Sequence, residues 1–494
     1  MSDALLLAID QGTSSTKCLL VDAKGEVVAR GQAPVSLATP EPGWVEQDAN
    51  EIWSSVRRAA AEAVDRGSAK RVVSVGLSTQ RESCVIWDRR SGDALTPVLS
   101  WQDQRTEKIC QRLREAGHGD LIRRKSGLPL DPMFSAAKAR WLLDLLPSGQ
   151  ARARAAEICI GTIDAFILSR FGGEPVVEAG NASRTQLFNV TKGHWDEELL
   201  SIFGIPLAAM PAVASSMGPF PSARGLEPLP DGVPVGAVMA DSHSALFAHG
   251  AFAPGPVKAT HGTGSSIMGL LDRGTTRDGE TLGPGVCLTL AWAVEEPALA
   301  FEGNIRSAGS TLIWAAELLG VDTQELARIA ATARDSRGVY VVPAFGGLGA
   351  PWWDASAIAT VSGFTFGVTR APFARAALDS IAHQIADVLD EVRASGAPVE
   401  RLLVDGGPTR NDQLMQFEAD MVNAPIERTD VAELSAMGVA HLAGVSAGLF
   451  TFDSLRRLDR GGQAFKPSLA PQVRLREREA WARAVARSRG LAIH

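Results

Sequence analysis

Two short stretches, half a chain apart, constrain this sequence more than anything else in it. "LLLAIDQGTSSTK" (5–17) is an aliphatic run ending in a carboxylate, Asp10, followed by Gly12, the hydroxyls Thr13, Ser14 and Ser15, and Lys17. "VKATHGTGSSIMGLLD" (257–272) repeats the plan, its "GTGSS" lying 250 residues beyond "GTSS". A strand ending in such a turn can be an ordinary hairpin whose hydroxyls cap loose N–H groups. It can also be a nest of N–H and O–H donors for an anion, with Lys17 adding charge. For one turn the two readings stand level. The second copy, and "DGGPTRND" (405–412) after a third apolar strand, favour the nest. The 494 residues are too many for one ordinary core. The repeat therefore predicts two α/β domains of similar build, 1–250 and 251–494, each presenting a polar turn to a shared cleft. "HGAFAPGPV" supplies Gly and Pro at the join.

Within the first half, "LLLAI", "KCLLVD" and "EVVARG" read as an antiparallel meander, and "VVSVGLS" (72–78) as a further buried strand. Residues 51–66 carry apolar side chains at helical spacing behind Asp48 and Asn50, good capping residues. In the second half, "GVYVVPAF" (338–345) and "RLLVDGG" (401–407) read as buried strands. Helical patterns cover about 306–319, 370–394, 411–423 and 434–447, and the tail from 474 reads as a charged surface helix. Alternating strands and helices mean α/β.

Several classes are disfavoured. A net charge of -7 with scattered Lys and Arg argues against nucleic acid as a partner. Five dispersed cysteines with no CxxC fit a reducing compartment rather than a disulfide framework or zinc site. No signal-peptide pattern opens the chain and no apolar run spans a membrane, so a cytoplasmic location is expected and the sequons at Asn181 and Asn189 carry no meaning. There is no GxxxxGK[ST] and no convincing GxGxxG, so P-loop and Rossmann readings are weak. Asp10 at its strand end suits Mg²⁺, which takes oxygen ligands and keeps much of its water.

Further motifs carry a resemblance. "PGWVEQD" (42–48), "STQRES" (78–83), "SWQDQRT" (100–106), "GLPLDPMFSAAKARWLLD" (127–144), "NASRTQLFN" (181–189), "ADSHSALF" (240–247), "VYVVPAFGGLGAPWWD" (339–354) and "LLVDGGPTRNDQLMQF" (402–417) join the turns above. Together they resemble the FGGY carbohydrate kinases, and within them the glycerol kinases, nearly end to end. The resemblance implies two similar actin-like, ribonuclease H-like ATPase domains with a nucleotide and sugar cleft between them. By it, Thr13, Ser14, Ser15 and Lys17 face the ATP phosphates from the first domain, and Thr263 and Gly264 from the second. Gly309, Gly407 and Asn411 flank the adenosine. Asp241 is the general base, and Asp10 and Asp241 are the candidate Mg²⁺ ligands. Arg81, Glu82 and Trp101 hold the acceptor. Singly, Asp241 reads as a helix N-cap, Arg81–Glu82 as a surface ion pair worth little, and Trp101 as core. The matched motifs reverse the first two. His243 reads as structural.

Three positions depart from the glycerol kinase pattern, which has Tyr, Gln and Phe where this chain has Met133, Ser242 and Ser266. All three line the glycerol pocket in that family. Loss of two rings and an amide predicts a roomier pocket and weaker hold on glycerol. Ile313 replaces a Gln on the nucleotide side, and 354–366 is longer than usual. The expected activity is ATP-dependent phosphorylation of a terminal hydroxyl of a polyol or ketose larger than glycerol. The rivals are glycerol kinase itself and, from another class, an ATPase switch like actin or the heat-shock chaperones, with no sugar substrate. Such kinases include homo-oligomers, but no interface is legible.

Overall fold

The computed structural model describes residues 3–272 and 282–490. Its frame is two mixed sheets of matching design. The first holds β1 (Leu5–Gln11), β2 (Ser15–Asp22), β3 (Val27–Pro34), β4 (Val72–Thr79) and β5 (Val235–Ala240), in the order β3-β2-β1-β4-β5. The second holds β6 (Gly255–His261), β7 (Ser265–Leu270), β8 (Cys287–Ala293), β9 (Pro297–Ile305), β10 (Val399–Asp405), β11 (Ile426–Arg428) and β12 (Gln463–Phe465). Its inner order, β9-β7-β6-β10-β11, repeats the first sheet, with β8 and β12 added at the edges. In both, three strands form an antiparallel meander and two more run parallel to the meander's first strand. The short echo between the two turns thus reports a whole repeated sheet.

Local chemistry explains the elements. In β1 the aliphatic side chains are all buried and Asp10, at the end, is the partly exposed exception. Gly12 N–H donates to Ser15 O at 3.0 Å, closing the hairpin to β2. Helix α1 (Ala49–Ala63) starts where Asp48 accepts from Asn50 N–H, and it buries Ile52, Val56, Ala59 and Ala63 on one face. It lies close to the sheet because β3 offers Gly31, where a Cβ would sit 2.1 Å from Ala59 O.

Parallel strands point their C-terminal ends the same way, and ligands in α/β sheets bind beyond those ends. The ends of β1, β4 and β5 deliver Asp10, then Gln80–Arg81–Glu82, then Asp241. The ends of β6 and β10 deliver the turns at 262–264 and 406–411. After β5 comes α2 (Asp241–Ala248); after β9, α3 (Gly309–Leu319) and α4 (Arg370–Ala394); after β10, α5 (Asp412–Val422); after β11, α6 (Leu434–Ser446). Residues 80–234 build a lobe beside the first sheet with its own apolar core around Ile86, Leu99, Leu142 and Phe203.

The halves interlock in a way that a division at 250/251 does not convey. Helix α6, from the second half, packs on β1, β4 and β5 and against α2. Two glycines allow this: a Cβ on Gly76 of β4 would lie 2.6 Å from Val439 O, and one on Gly438 of α6 would lie 1.8 Å from Ser244 O. Since α2 begins with Asp241, this crossing also sets where that carboxylate stands. Gly438→Ala is expected to destabilise the protein by about 1–3 kcal/mol, as overpacking does, read from the urea midpoint.

Two expectations are corrected. Of the strand read at 338–345, only Tyr340–Val342 forms a strand, because Pro343 cannot donate to a ladder, and Phe345 is exposed. Its partner is Thr360–Ser362, from the long 354–366 segment. The tail helix α7 (Pro471–Ser488) is more than a surface element: Trp481 is buried and its indole N–H donates to Asp387 Oδ2 at 2.8 Å. Both sequon asparagines, Asn181 and Asn189, are buried. No helix among the described residues is long and apolar enough to cross a membrane.

Candidate active site

Between the two sets of strand ends lies a cavity of about 800 Å³, within the range of small-molecule sites. The first half contributes Asp10, Lys17, Asp241 and Ser242; the second contributes Lys258, Thr260, Asp405, Gly406 and Gly407. A slightly larger hollow by Trp292 and Phe252 shares no lining residue with it and contains none of the strand-end turns.

Asp10 and Lys17 face each other across the β1–β2 hairpin. Ser78 Oγ donates to Asp10 Oδ1 at 2.9 Å. Burial, then the neighbouring charge of Asp241, pushes the Asp10 carboxyl up to about 7. Thr13 is held from two sides: its carbonyl accepts from Gln47 Nε2 at 2.7 Å and its hydroxyl oxygen from Trp101 Nε1 at 2.9 Å. The Thr13 proton stays free to donate. Trp101 therefore braces the first turn, a task its sequence context did not announce. Ser14 is exposed and Ser15 partly so.

The second turn is pinned to the start of α3. Ala308 N–H donates to Thr263 O at 2.8 Å, and Gly309 N–H to Gly262 O at 2.9 Å. Backbones approach so closely here that a Cβ on Gly264 would lie 2.2 Å from Ile305 O, and one on Gly309 2.5 Å from Gly262 O. In the third turn Gly406 has φ +101° and packs on His261 O, while the space over Gly407 is open. Asn411 caps α5, its Oδ1 accepting from Leu414 N–H at 2.9 Å. Asp405 Oδ2 accepts from Thr260 Oγ1 at 2.9 Å. Ile313 is exposed on α3.

Beneath Asp241 runs a buried lattice of charge. Arg81 Nε stands 3.1 Å from Asp241 Oδ1, and Arg81 Nη1 donates to Glu302 Oε1 at 2.6 Å. Arg184 Nη1 lies 2.8 Å from Glu302 Oε2, and Arg184 Nε donates to Glu82 Oε1 at 2.8 Å. Arg184 and Glu302 are fully buried; the Asp241 side chain is 36% exposed and is the lattice's outlet to the cavity. Burial alone would raise Glu302, but Arg184 and then Arg81 outweigh it and hold the carboxyl well below the usual carboxylate range. Arg81 and Glu82 meet each other only at 4.0 Å. They do not form a clamp with one another; each is paired elsewhere, and Glu82 is held at φ +60°, a strained position for a side chain this size.

The expected acceptor residues come together in part. Ser266 Oγ is 3.4 Å from Glu302 Oε1 and 3.5 Å from Lys258 Nζ. Met133 sits apart from the 800 Å³ cavity, packed with Leu128, Phe134, Cys287 and Trp353. The link to it is Phe134, whose ring lies 5.2 Å from the Arg184 guanidinium. His243 is buried. Burial, then Arg81, holds it well below the ordinary histidine range, consistent with a structural role. Sequence reasoning missed Arg184, Glu302 and Lys258. Arg184 lay inside a quoted motif; Glu302 in "LAFEGNI" and Lys258 in "VKATHG" are charges inside apolar strands, a signal that could have found both.

Comparison with known proteins is consistent along the whole chain. Sequence models of the FGGY family of carbohydrate kinases match residues 5–248 (N-terminal domain) and 257–447 (C-terminal domain). The chain is 41% identical over 497 residues to an apulose kinase of Pectobacterium atrosepticum, covering 99% of each. It is 40% identical over 494 residues to a glycerol kinase of Aromatoleum aromaticum, covering 98% of this chain and 99% of that one. Among solved structures, Plasmodium falciparum glycerol kinase with ADP superposes at a TM-score of 0.89, with 29% identity over 98% of both chains.

Proposed function

The chain belongs to the FGGY family of carbohydrate kinases, and we propose that it transfers the γ-phosphoryl group of ATP to a terminal hydroxyl of a polyol or ketose larger than glycerol. It is a phosphotransferase with an alcohol acceptor, built on the two-domain α/β fold of that family. The observation that carries the reading is Asp241: a carboxylate at the first turn of α2, gripped by Arg81 and open to a cavity that also holds Asp10 and Lys17.

In this reading Asp241 takes the proton from the acceptor hydroxyl as its oxygen attacks the γ-phosphorus. Arg81 fixes the rotamer of Asp241 through Nε, and its Nη2, which makes no hydrogen bond among the described residues, is left for the acceptor. Thr13, Ser14, Ser15 and Lys17 on one side, and Thr263 and Gly264 on the other, hold the phosphates. Gly309, Gly407 and Asn411 border the adenosine, the open face of Gly407 giving room. Trp101 keeps Thr13 in place. Mg²⁺ suits the donor set. Asp10 and Asp241 are carboxylates with crowded charge, and no group of three or more His, Cys, Asp or Glu side chains converges among the described residues. An ion held by one or two carboxylates, water and phosphate fits that pattern, and when bound it neutralises phosphate charge. A cytoplasmic location agrees with five buried thiols.

The acceptor class rests on Ser242, next to Asp241 in the cavity lining, and on Ser266, beside Lys258 and Glu302. Small hydroxyls there, in place of an amide and a ring, favour a longer chain of hydroxyls or a carbonyl over glycerol. An ATPase switch has no use for a buried lattice aimed at a base. Initial rates of ATP consumption over glycerol, longer polyols and open-chain ketoses, apulose included, test the reading. The expected result is a kcat/KM for at least one larger acceptor about tenfold or more above that for glycerol. Ser266→Phe should shrink that preference by a similar factor. A marked preference for glycerol in the unmodified protein would instead make it a glycerol kinase.

A further inference from the structure

Lys258 is a charge in the wrong place for a strand. It stands in the middle of β6 with 1% of its surface exposed, yet its side chain lines the cavity. Alternation along β6 puts Lys258 and Thr260 on one face and Ala259 and His261 on the other. His261 turns to Glu418 and Ser265, at 3.0 Å each. Thr260 donates to Asp405. Lys258 has only a long contact, 3.5 Å from Nζ to Ser266 Oγ, and no ion pair among the described residues includes it.

Its acidic neighbours are committed elsewhere. Asp405 accepts from Thr260 and meets His249 Nε2 at 3.3 Å. Glu302 is taken by Arg81 and Arg184, and Asp241 by Arg81. The fields of Asp405, Glu302 and Asp241 all reach Lys258, so the ammonium lies among the base, the lattice and the third turn. Burial, opposed first by Asp405, lowers its proton affinity. A buried ammonium with two unused donors is costly unless an anion completes it.

We propose that Lys258 is a further catalytic residue, whose ammonium contacts the phosphoryl group in flight between nucleotide and acceptor. The inference rests on the nucleotide placement proposed above. As the acceptor oxygen bonds to the γ-phosphorus, the bond to the β–γ bridging oxygen breaks and its electron pair leaves with ADP. The acceptor proton goes to Asp241. Lys258 exchanges no proton; it neutralises charge on the equatorial oxygens, where a fixed cation in a water-poor site acts most strongly. Lys17, across the cavity on β2, is partly exposed and reaches the phosphates from solvent, so the two lysines do different work.

The test separates ATP from ADP. In Lys258→Met, ATP affinity measured without acceptor should fall about ten- to hundredfold, as for a lost charged hydrogen bond. ADP affinity and acceptor KM should stay within about threefold, and kcat should fall about 10²–10³-fold. Lys258→Gln, which keeps a neutral donor in the same space, should give the same split and serves if the Met variant does not fold. Equal loss of ATP and ADP affinity, or a rise in acceptor KM alone, overturns the inference. Unmodified protein that fails to bind ADP would instead bring down the nucleotide placement itself.

Discussion

Asp241→Asn is expected to lower kcat by about 10²–10⁴-fold, the range that a positioned general base supplies, while ADP affinity changes little. The variant keeps the shape of the side chain and its place at the first turn of α2, so packing against α6 is undisturbed. What disappears is the acceptor for the hydroxyl proton. The amide also presents a neutral partner to Arg81 Nε, which now stands 3.1 Å from Asp241 Oδ1. Loosening that grip should add to the loss, because in the proposed reading Arg81 aligns the base as well as the acceptor. Steady-state kinetics with the best acceptor, beside ADP titration of the same preparation, read both parts. Full ATP-to-acceptor transfer by the Asn variant would end the assignment of Asp241 as base. A parallel collapse of ADP binding would show that it shapes the nucleotide site instead.

The strand-end turns were far easier to read from sequence than the charge lattice, and for a physical reason. Such turns are local: a strand end, glycines and hydroxyls in one run of residues, so "AIDQGTSSTK", "HGTGSS" and "DGGPTR" are visible without knowing what lies opposite. The duplicated sheet was legible for the same reason, since each hairpin is contiguous. The charge lattice is the reverse. Its members come from 81–82, 184 and 302, brought together by a strand end and the turn after a short helix in one half and a strand interior in the other. No window of sequence contains two of them apart from Arg81–Glu82, and that adjacency does not reveal that each side chain turns to a distant partner. Trp101 shows the same limit: its indole N–H finds Thr13 across the fold. The packing of α6 on the first sheet was invisible as well, since its apolar residues say only that it is buried.

Removing the charge of Glu302 should be the costliest single change in the protein that deletes no atoms from its packing. Glu302 pairs closely with both Arg81 and Arg184, at 2.6 and 2.8 Å, whereas Glu82 is 2.8 Å from Arg184 but 4.0 Å from Arg81. Glu302 comes from β9 of the second sheet, whereas both arginines come from the first half of the chain, so the lattice is also a bond between halves. The charges of Arg81, Arg184, Glu82 and Glu302 sum to zero; Glu302→Gln leaves one net positive charge buried. Breaking a buried pair in this way destabilises by about 3–5 kcal/mol. The unfolding midpoint in urea should fall accordingly. Activity should fall beyond the loss of folded protein, because Arg81 would then draw Asp241 into a tighter pair and weaken it as a base. If neutrality is the governing quantity, pairing Glu302→Gln with Arg184→Met should recover part of the stability, a coupling that a double-mutant cycle measures directly. Arg184 lies over Phe134, so a methionine has an apolar neighbour to pack on. A Glu302→Gln protein within about 1 kcal/mol of the parent would mean that water or relaxation screens the lattice, as it does for surface pairs. Stability restored by Arg184→Met without activity would divide the lattice into two jobs: Arg184 balancing charge, and Arg81 aiming the base.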